Sequence, residues 1–337
     1  MRERMRDARL WVLIAAAILT CLAILMPRVK LTREVYDLVA IVDITSSMNT
    51  RDITVNGKTV SRLDAVKDTL ARLLADLPCQ SRLGLGIFTE RRSFLLFNPA
   101  EVCENFAPIE TAIEELDWRM AWEGDSMVAK GFFNAATIAE DLKADLLFLT
   151  DGQEAPPLPG GGTMLPEFEG TPGKVKGVLI GVGGREKVPL SKFDDEGNEI
   201  GVYSADEVTQ ENRTGAPPPD AESRPGYHPK WAPFGTDPPT GDEELTSVRT
   251  KELDTLAARI GFGRADLVDQ PNLPETIAEH ARPRPVSVAV DVRPVPAALA
   301  LALLIGLYAV PLFFRIPIPG HRSRQIAPPL TAAALKT

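Results

Sequence analysis

The chain has 337 residues, 44% of them hydrophobic and 25% charged, with a formal net charge of −9 at pH 7. That length allows one large domain or two modest ones, and the apolar share is ordinary for a globular protein. The acidic balance is poorly suited to nucleic acid, whose phosphates call for a basic face.

The apolar residues are unevenly placed. After an arm at residues 1–9 that carries Arg2, Arg4, Arg6 and Arg9, the stretch Leu10–Met26 has no charge for 17 residues. That is near the lower limit for a helix crossing a bilayer. Its exit, Met26-Pro27-Arg28-Val29-Lys30, offers no small-residue cleavage site, so it reads as an uncleaved anchor rather than a signal peptide. Near the other end, Val295–Phe314 is a second uncharged stretch, followed by a tail at 315–337 with Arg315, Arg322, Arg324 and Lys336. Pro296 and Pro311 fall near its ends, where they disturb helix hydrogen bonding least. The arm carries +2 and the tail +4, which leaves −15 on the region between. Basic short flanks stay on the cytoplasmic side, while long loops translocate regardless of charge. Both termini are therefore expected in the cytoplasm and the main domain outside a bacterial inner membrane, in the periplasm.

Between the two stretches, Leu38-Val39-Ala40-Ile41-Val42 is a short apolar run that ends in Asp43. Such a run is a buried strand. Thr45 and Ser47 follow Asp43 at every second position, and Met48 comes next. One carboxylate and two hydroxyls at a strand end offer only oxygen ligands. They suit a hard divalent cation, Mg²⁺ first and Ca²⁺ or Mn²⁺ after it, rather than zinc. A hairpin is expected at Val55-Asn56-Gly57-Lys58. Leu63, Val66, Leu70, Leu73, Leu74 and Leu77 then recur at helical spacing.

Two apolar runs, Leu83–Phe88 and Phe94–Phe97, flank the charged tip Glu90-Arg91-Arg92. If they form an antiparallel hairpin, paired residue numbers sum to about 181. Cys79 and Cys103 then fall just beyond its open end, close enough for a disulfide in an oxidising compartment. Helices are expected at Ala107–Leu116 and Met127–Leu142. A second buried strand, Leu146–Leu149, ends in Thr150-Asp151-Gly152. A strand at Val178–Val182 and a helix at Val248–Ile260 follow, and residues 266–294 are expected as a linker to the second uncharged stretch. Residues 153–173 are rich in Pro and Gly, with Gly160-Gly161-Gly162, and read as a loop rimming the site. Residues 210–241 hold eight prolines with Tyr227, His228, Trp231 and Phe234 among them, either a docking strap or an ordered excursion over the domain.

These elements together resemble a von Willebrand factor type A domain with a metal-ion-dependent adhesion site. The resemblance covers about residues 36–265 and rests on Asp43, Thr45, Ser47 and Met48 after one strand and Thr150-Asp151-Gly152 after another. It implies an α/β fold, a doubly wound, mostly parallel sheet flanked by helices, here held between two transmembrane helices. It also implies a metal set of Asp43, Thr45, Ser47 and Asp151, plus a Thr from a loop before the helix at 127–142. At that loop the chain departs from the pattern, since Gly124 is followed by Asp125 and Ser126. Asp125 or Ser126 supplies the ligand, with Asp125 slightly favoured; a third carboxylate tightens the ion but weakens its hold on an acidic partner.

The layout also resembles the membrane-anchored Bat-type proteins that accompany MoxR-type ATPases. Ser61-Arg62-Leu63-Asp64-Ala65-Val66-Lys67 and Phe193-Asp194-Asp195-Glu196-Gly197 match that group. Within it the arrangement is similar to the MxaL family of methanol dehydrogenase clusters, which is linked to calcium insertion into a periplasmic dehydrogenase. The resemblance implies a protein-binding module rather than an enzyme, acting in maturation or assembly of a periplasmic enzyme. Its expected partners are a protein presenting a carboxylate to the metal, such as a periplasmic dehydrogenase, and other membrane-anchored accessory proteins. The alternative is a Bat-type aerotolerance or stress complex. A metal-dependent phosphotransferase of the haloacid dehalogenase type ranks behind both, because it needs a second acid where Thr45 stands. His228, His280 and His321 are scattered, and neither a Gly-x-Ser-x-Gly elbow nor a phosphate-binding Gly-x-x-x-x-Gly-Lys loop is present.

Overall fold

In the computed structural model of the chain, residues 2–313 are described apart from 26–27, 56, 122–123, 160–163, 195 and 236–240, with side-chain surroundings given from Arg9 to Ala309. The expected tail at 315–337, His321, Phe314, Trp122, Glu123, Gly160-Gly161-Gly162 and Asp195 lie outside these residues. The described residues divide into two compact units, one over residues 33–286 and one made of the segments on either side of it.

In the terminal unit, helix α1 (Arg2–Leu25) packs against the last helix, Pro294–Phe313, and strand β1 (Val29–Val35) pairs with a strand at Arg284–Val290. Among the described residues no helix is long and apolar enough to cross a membrane.

The larger unit begins with β2 (Asp37–Asp43), the hairpin β3 (Ile53–Val55) and β4 (Lys58–Val60), and helix α2 (Arg62–Asp76). Strands β5 (Arg82–Thr89) and β6 (Arg92–Glu101) follow, then helices α3 (Phe106–Glu114) and α4 (Val128–Leu142). Next come β7 (Asp145–Thr150), β8 (Gly177–Gly181) and the short strands β9 (Val188–Pro189), β10 (Ser191–Phe193), β11 (Glu199–Val202) and β12 (Leu245–Thr246). Helix α5 (Thr250–Ile260), β13 (Gly263–Asp266) and helix α6 (Leu273–His280) complete it.

Six strands form the central sheet in the order β13-β8-β7-β2-β5-β6. All neighbours run parallel except the edge strand β6, which is antiparallel to β5. Two-residue alternation splits each buried strand between two cores. Leu38, Ala40 and Val42 of β2 face one cluster with residues of α2, α3 and α6, while Val39 and Ile41 face the other with residues of α4 and α5. The fold is therefore mixed α/β, with a mostly parallel sheet covered on both faces. Burial on both sides explains why β2 and β7 read as unbroken apolar runs. From β2 the chain moves to β5 on one side, whereas from β7 it moves to β8 on the other. The carboxyl ends of β2 and β7 thus flank the topological switch point, where ligands of open α/β sheets bind.

The β5–β6 pairing runs from Arg82↔Glu101 to Thr89↔Arg92, with irregularities near Leu85. Cys79 and Cys103 lie beyond its open end and are joined by a disulfide, their Cα atoms 5.2 Å apart. The segment 266–294, expected as a linker, is largely structured. Leu273 and Ile277 bury against the sheet, and Arg282 and Arg284 clasp Asp145 and Asp37 at 2.7 and 2.8 Å. Apolar residues at helical spacing in α6 draw the chain back onto the domain. Residues 210–235 form turns around one 3-10 turn, Ala221–Ser223, braced by Arg224, which pairs with Glu211 at 2.9 Å and Asp220 at 3.2 Å.

Candidate metal centre

The three parts of the sequence motif meet at the carboxyl ends of β2 and β7. Asp43 closes β2, and its carboxylate is fully buried. Its Oδ1 accepts the Thr45 backbone N–H at 2.9 Å and the Thr45 hydroxyl at 2.7 Å, while Oδ2 accepts the Thr150 hydroxyl at 2.6 Å. The Thr45 and Ser47 hydroxyls are 3.5 Å apart. Ser47 lies in a single 3-10 turn, Ser46–Asn49, so the loop stays tight against the sheet. Asp151 follows β7 and is also fully buried. Its Oδ1 accepts the Gln153 N–H at 2.9 Å and its Oδ2 accepts Arg62 Nη1 at 2.7 Å.

Burial, then the field of Asp151, raises the Asp43 pKa from 3.8 to about 7, although the hydrogen bonds from Thr150 and Thr45 pull the other way. Two carboxylates in one dry pocket disfavour each other's ionisation. A cation between them would relieve that conflict.

The loop before α4 brings its two candidates to different places. Asp125 is exposed. Ser126 is buried, and its hydroxyl has no hydrogen-bond partner. Its backbone is fixed on both sides, with N–H to Ala155 C=O and Ala155 N–H to Ser126 C=O, each at 2.7 Å. Ser126 lines a cavity of about 490 Å³ together with Thr45, Ser47, Asp125, Gln153 and Glu154. Thr50 and Thr89 also carry buried hydroxyls without partners, but of these three only Ser126 lines this cavity.

Sequence reasoning missed two charged groups here. Glu154 is half-buried and accepts the Ala129 N–H at 2.7 Å, capping a helix whose own N-cap residue, Met127, supplies no side-chain bond. Burial raises its pKa to about 7, against the pull of the Ala129 and Val128 amides. Arg62, which in the sequence belongs only to the segment resembling the Bat-type proteins, is fully buried and bonded to Asp151. No local pattern announces a buried arginine, because its partners sit 10, 89 and 184 residues away.

The available donors are two carboxylates and several hydroxyls, an all-oxygen set that fits a hard cation and leaves nothing for a soft one. Among the described residues no group of three or more His, Cys, Asp or Glu side chains comes together.

The fold and the arrangement are those expected of a von Willebrand factor type A domain, and residues 38–153 match the model of that domain family. No curated protein matches the chain. Among solved structures, it is similar to an uncharacterized membrane spanning protein from Vibrio fischeri, at 15% identity and a TM-score of 0.26, over 72% of this chain and 97% of that one. It is also similar to a von Willebrand factor type A protein from Catenulispora acidiphila, at 14% identity and TM-score 0.32, over 46% of this chain and 36% of that one. A third is the ArnB paralog VWA2 from Sulfolobus acidocaldarius, at 12% identity and TM-score 0.27, over 45% of this chain and 36% of that one. The chain thus spans little more than a third of the latter two. Domains of this type are generally protein-interaction modules rather than enzymes, and they often hold a divalent cation.

Proposed function

We propose that the domain is a cation-dependent protein-docking module, with Asp43, Thr45, Ser47, Ser126 and Asp151 around a hard divalent cation, Mg²⁺ before Ca²⁺ or Mn²⁺. The observation that carries this reading is the buried, unpartnered Ser126 hydroxyl in one cavity with Thr45 and Ser47, the hydroxyls that follow the buried Asp43. Ser126 takes the loop position in preference to Asp125, which is exposed and free to meet a partner instead. When bound, the cation supplies a Lewis-acidic point for a partner's carboxylate. Asp43 is oriented by Thr45 and Thr150, and Asp151 by Arg62 and Gln153, so neither needs to reorganise on binding.

Two uncharged stretches of the sequence, Leu10–Met26 and Val295–Phe314, extend this proposal to a membrane anchor. The helix at Arg2–Leu25 contains the uncharged stretch Leu10–Leu25, and the helix at Pro294–Phe313 has no charged residue. With basic flanks at both ends of the sequence, the reading is a bacterial inner-membrane protein with its domain in the periplasm. The Cys79–Cys103 disulfide suits that oxidising space. Maturation of a periplasmic enzyme, including calcium delivery to a methanol dehydrogenase, follows from the family resemblance. A Bat-type stress complex is the second reading.

Isothermal titration of the detergent-solubilised full chain with Mg²⁺ and with Ca²⁺ tests the site. Absence of binding for both removes it. Affinity capture with and without chelator then tests the docking role: recovery of a periplasmic dehydrogenase lost with chelator supports maturation, and a set of membrane accessory proteins alone supports the stress complex.

A further inference from the structure

Arg62 is the largest fully buried side chain in the domain, and its guanidinium is divided between two acids. Nε and Nη2 form a fork on Asp52, at 3.0 Å to Oδ1 and 2.6 Å to Oδ2. Nη1 is left for Asp151 Oδ2 at 2.7 Å and the Thr246 hydroxyl at 2.7 Å. Asp52 is also held by the Gly184 N–H at 2.9 Å. Gly183, at φ +126°, lies where a Cβ would come within 2.7 Å of Arg62 Nε, so the backbone there leaves room for the guanidinium. Burial opposes the charge on Arg62, but the hydrogen bonds of Asp52 and the fields of Asp151 and Asp52 outweigh it and raise the pKa.

A lone guanidinium against Asp151 would cancel the charge that a cation site needs. We propose that Asp52 and Arg62 form a charge-neutral positioning pair: Arg62 orients Asp151 through Nη1, and Asp52 cancels the guanidinium so that the charge of Asp151 remains available to a cation. The pair reaches the site through Asp151 and is not itself a ligand. It rests on the cation reading given above and adds a residue, Asp52, that belongs to no metal motif. The bidentate geometry supports the division of labour, since Arg matches a carboxylate fork best when two nitrogens face one acid.

A charge cycle on the full-length protein in detergent, titrated with Mg²⁺ alone and Ca²⁺ alone, tests the pair. Asp52→Asn leaves the guanidinium uncancelled and lowers cation affinity about tenfold or more, the size of a unit-charge effect through a partly screened interior. The double variant Asp52→Asn/Arg62→Gln restores neutrality and recovers affinity to within a few fold of the wild type, the remaining deficit measuring the lost clamp on Asp151. Arg62→Gln alone leaves Asp52 uncancelled and binds more tightly than the double variant. A general loss of packing would not produce this order, because the single variants would then bind no more weakly and no more tightly than the double in a charge-dependent way. If Asp52→Asn does not fold, as judged by near-ultraviolet circular dichroism, the comparison of Arg62→Gln with the double variant carries the test. Equal affinities of wild type and Asp52→Asn overturn the proposal, as does an Arg62→Gln variant that binds no better than the double. Absence of binding by the wild type refutes the cation reading itself, a separate outcome.

Discussion

Asp43→Asn is expected to stabilise the cation-free domain while destroying the site. In the fold the Asp43 pKa is raised from 3.8 to about 7 by burial and by Asp151. The folded state therefore holds a proton that the unfolded chain releases between those values. Stability falls as pH rises through that window, and the full penalty persists above pH 7. At 1.36 kcal/mol per pKa unit the penalty has an upper limit of about 4 kcal/mol. The amide keeps an oxygen for the two bonds from Thr45, but its NH₂ faces the Thr150 hydroxyl, which must turn to accept. That rearrangement costs about 1 kcal/mol. A net gain of about 1–3 kcal/mol at pH 8 corresponds to a rise of roughly 3–8 °C in Tm for a domain of this size. Differential scanning calorimetry in chelator measures it. The gain should vanish below pH 4, where wild-type Asp43 is protonated in both states. In Mg²⁺ at a thousand times its Kd the order reverses, because only the wild type gains the stabilisation of a bound ion, about 4.1 kcal/mol. A lower Tm for Asp43→Asn in chelator at pH 8 would refute the electrostatic reasoning.

Three further outcomes follow from the same geometry. Ser126→Ala should weaken Mg²⁺ binding about tenfold, the size of one lost polar contact, with no loss of apo stability because the hydroxyl has no partner to lose; Asp125→Ala, on an exposed side chain, should change affinity by less than about threefold, as titration calorimetry will report. Replacing Cys79 and Cys103 by Ser opens a link between positions 24 apart and should cost about 3 kcal/mol in denaturant unfolding. Gly131→Ala would place a Cβ 2.1 Å from the Phe88 ring between α4 and the sheet, and should lower stability by about 1–3 kcal/mol of overpacking, visible as a reduced Tm.

The metal loop illustrates how far local pattern reaches. Asp43-x-Thr45-x-Ser47 is legible because a strand must end somewhere, and a carboxylate followed by alternate hydroxyls at that end is a short-range arrangement. Asp151 is legible for the same reason at the end of β7. Cys79 and Cys103 are legible because a hairpin's register is arithmetic, and pairing at Gly86↔Leu95 or Thr89↔Arg92 keeps the expected sum of 181. The choice at the loop before α4 lies beyond such reasoning. Asp125 and Ser126 are adjacent, and which of them turns inward depends on the backbone bonds that Ser126 makes to Ala155 and on the Glu154 cap of α4. Those contacts join segments about thirty residues apart, where periodicity carries no information.

By itself the sequence determined the elements, their apolar faces and the two strand ends that carry the acids, because helical and strand periodicities and chain-local chemistry are written residue by residue. Only the tertiary structure decided which acids burial shifts, which hydroxyl at the site is left without a partner, and that Arg62 lies buried between Asp52 and Asp151. These are properties of burial and of distance across the fold, and a dry interior sets their energies far more strongly than any neighbour in the chain.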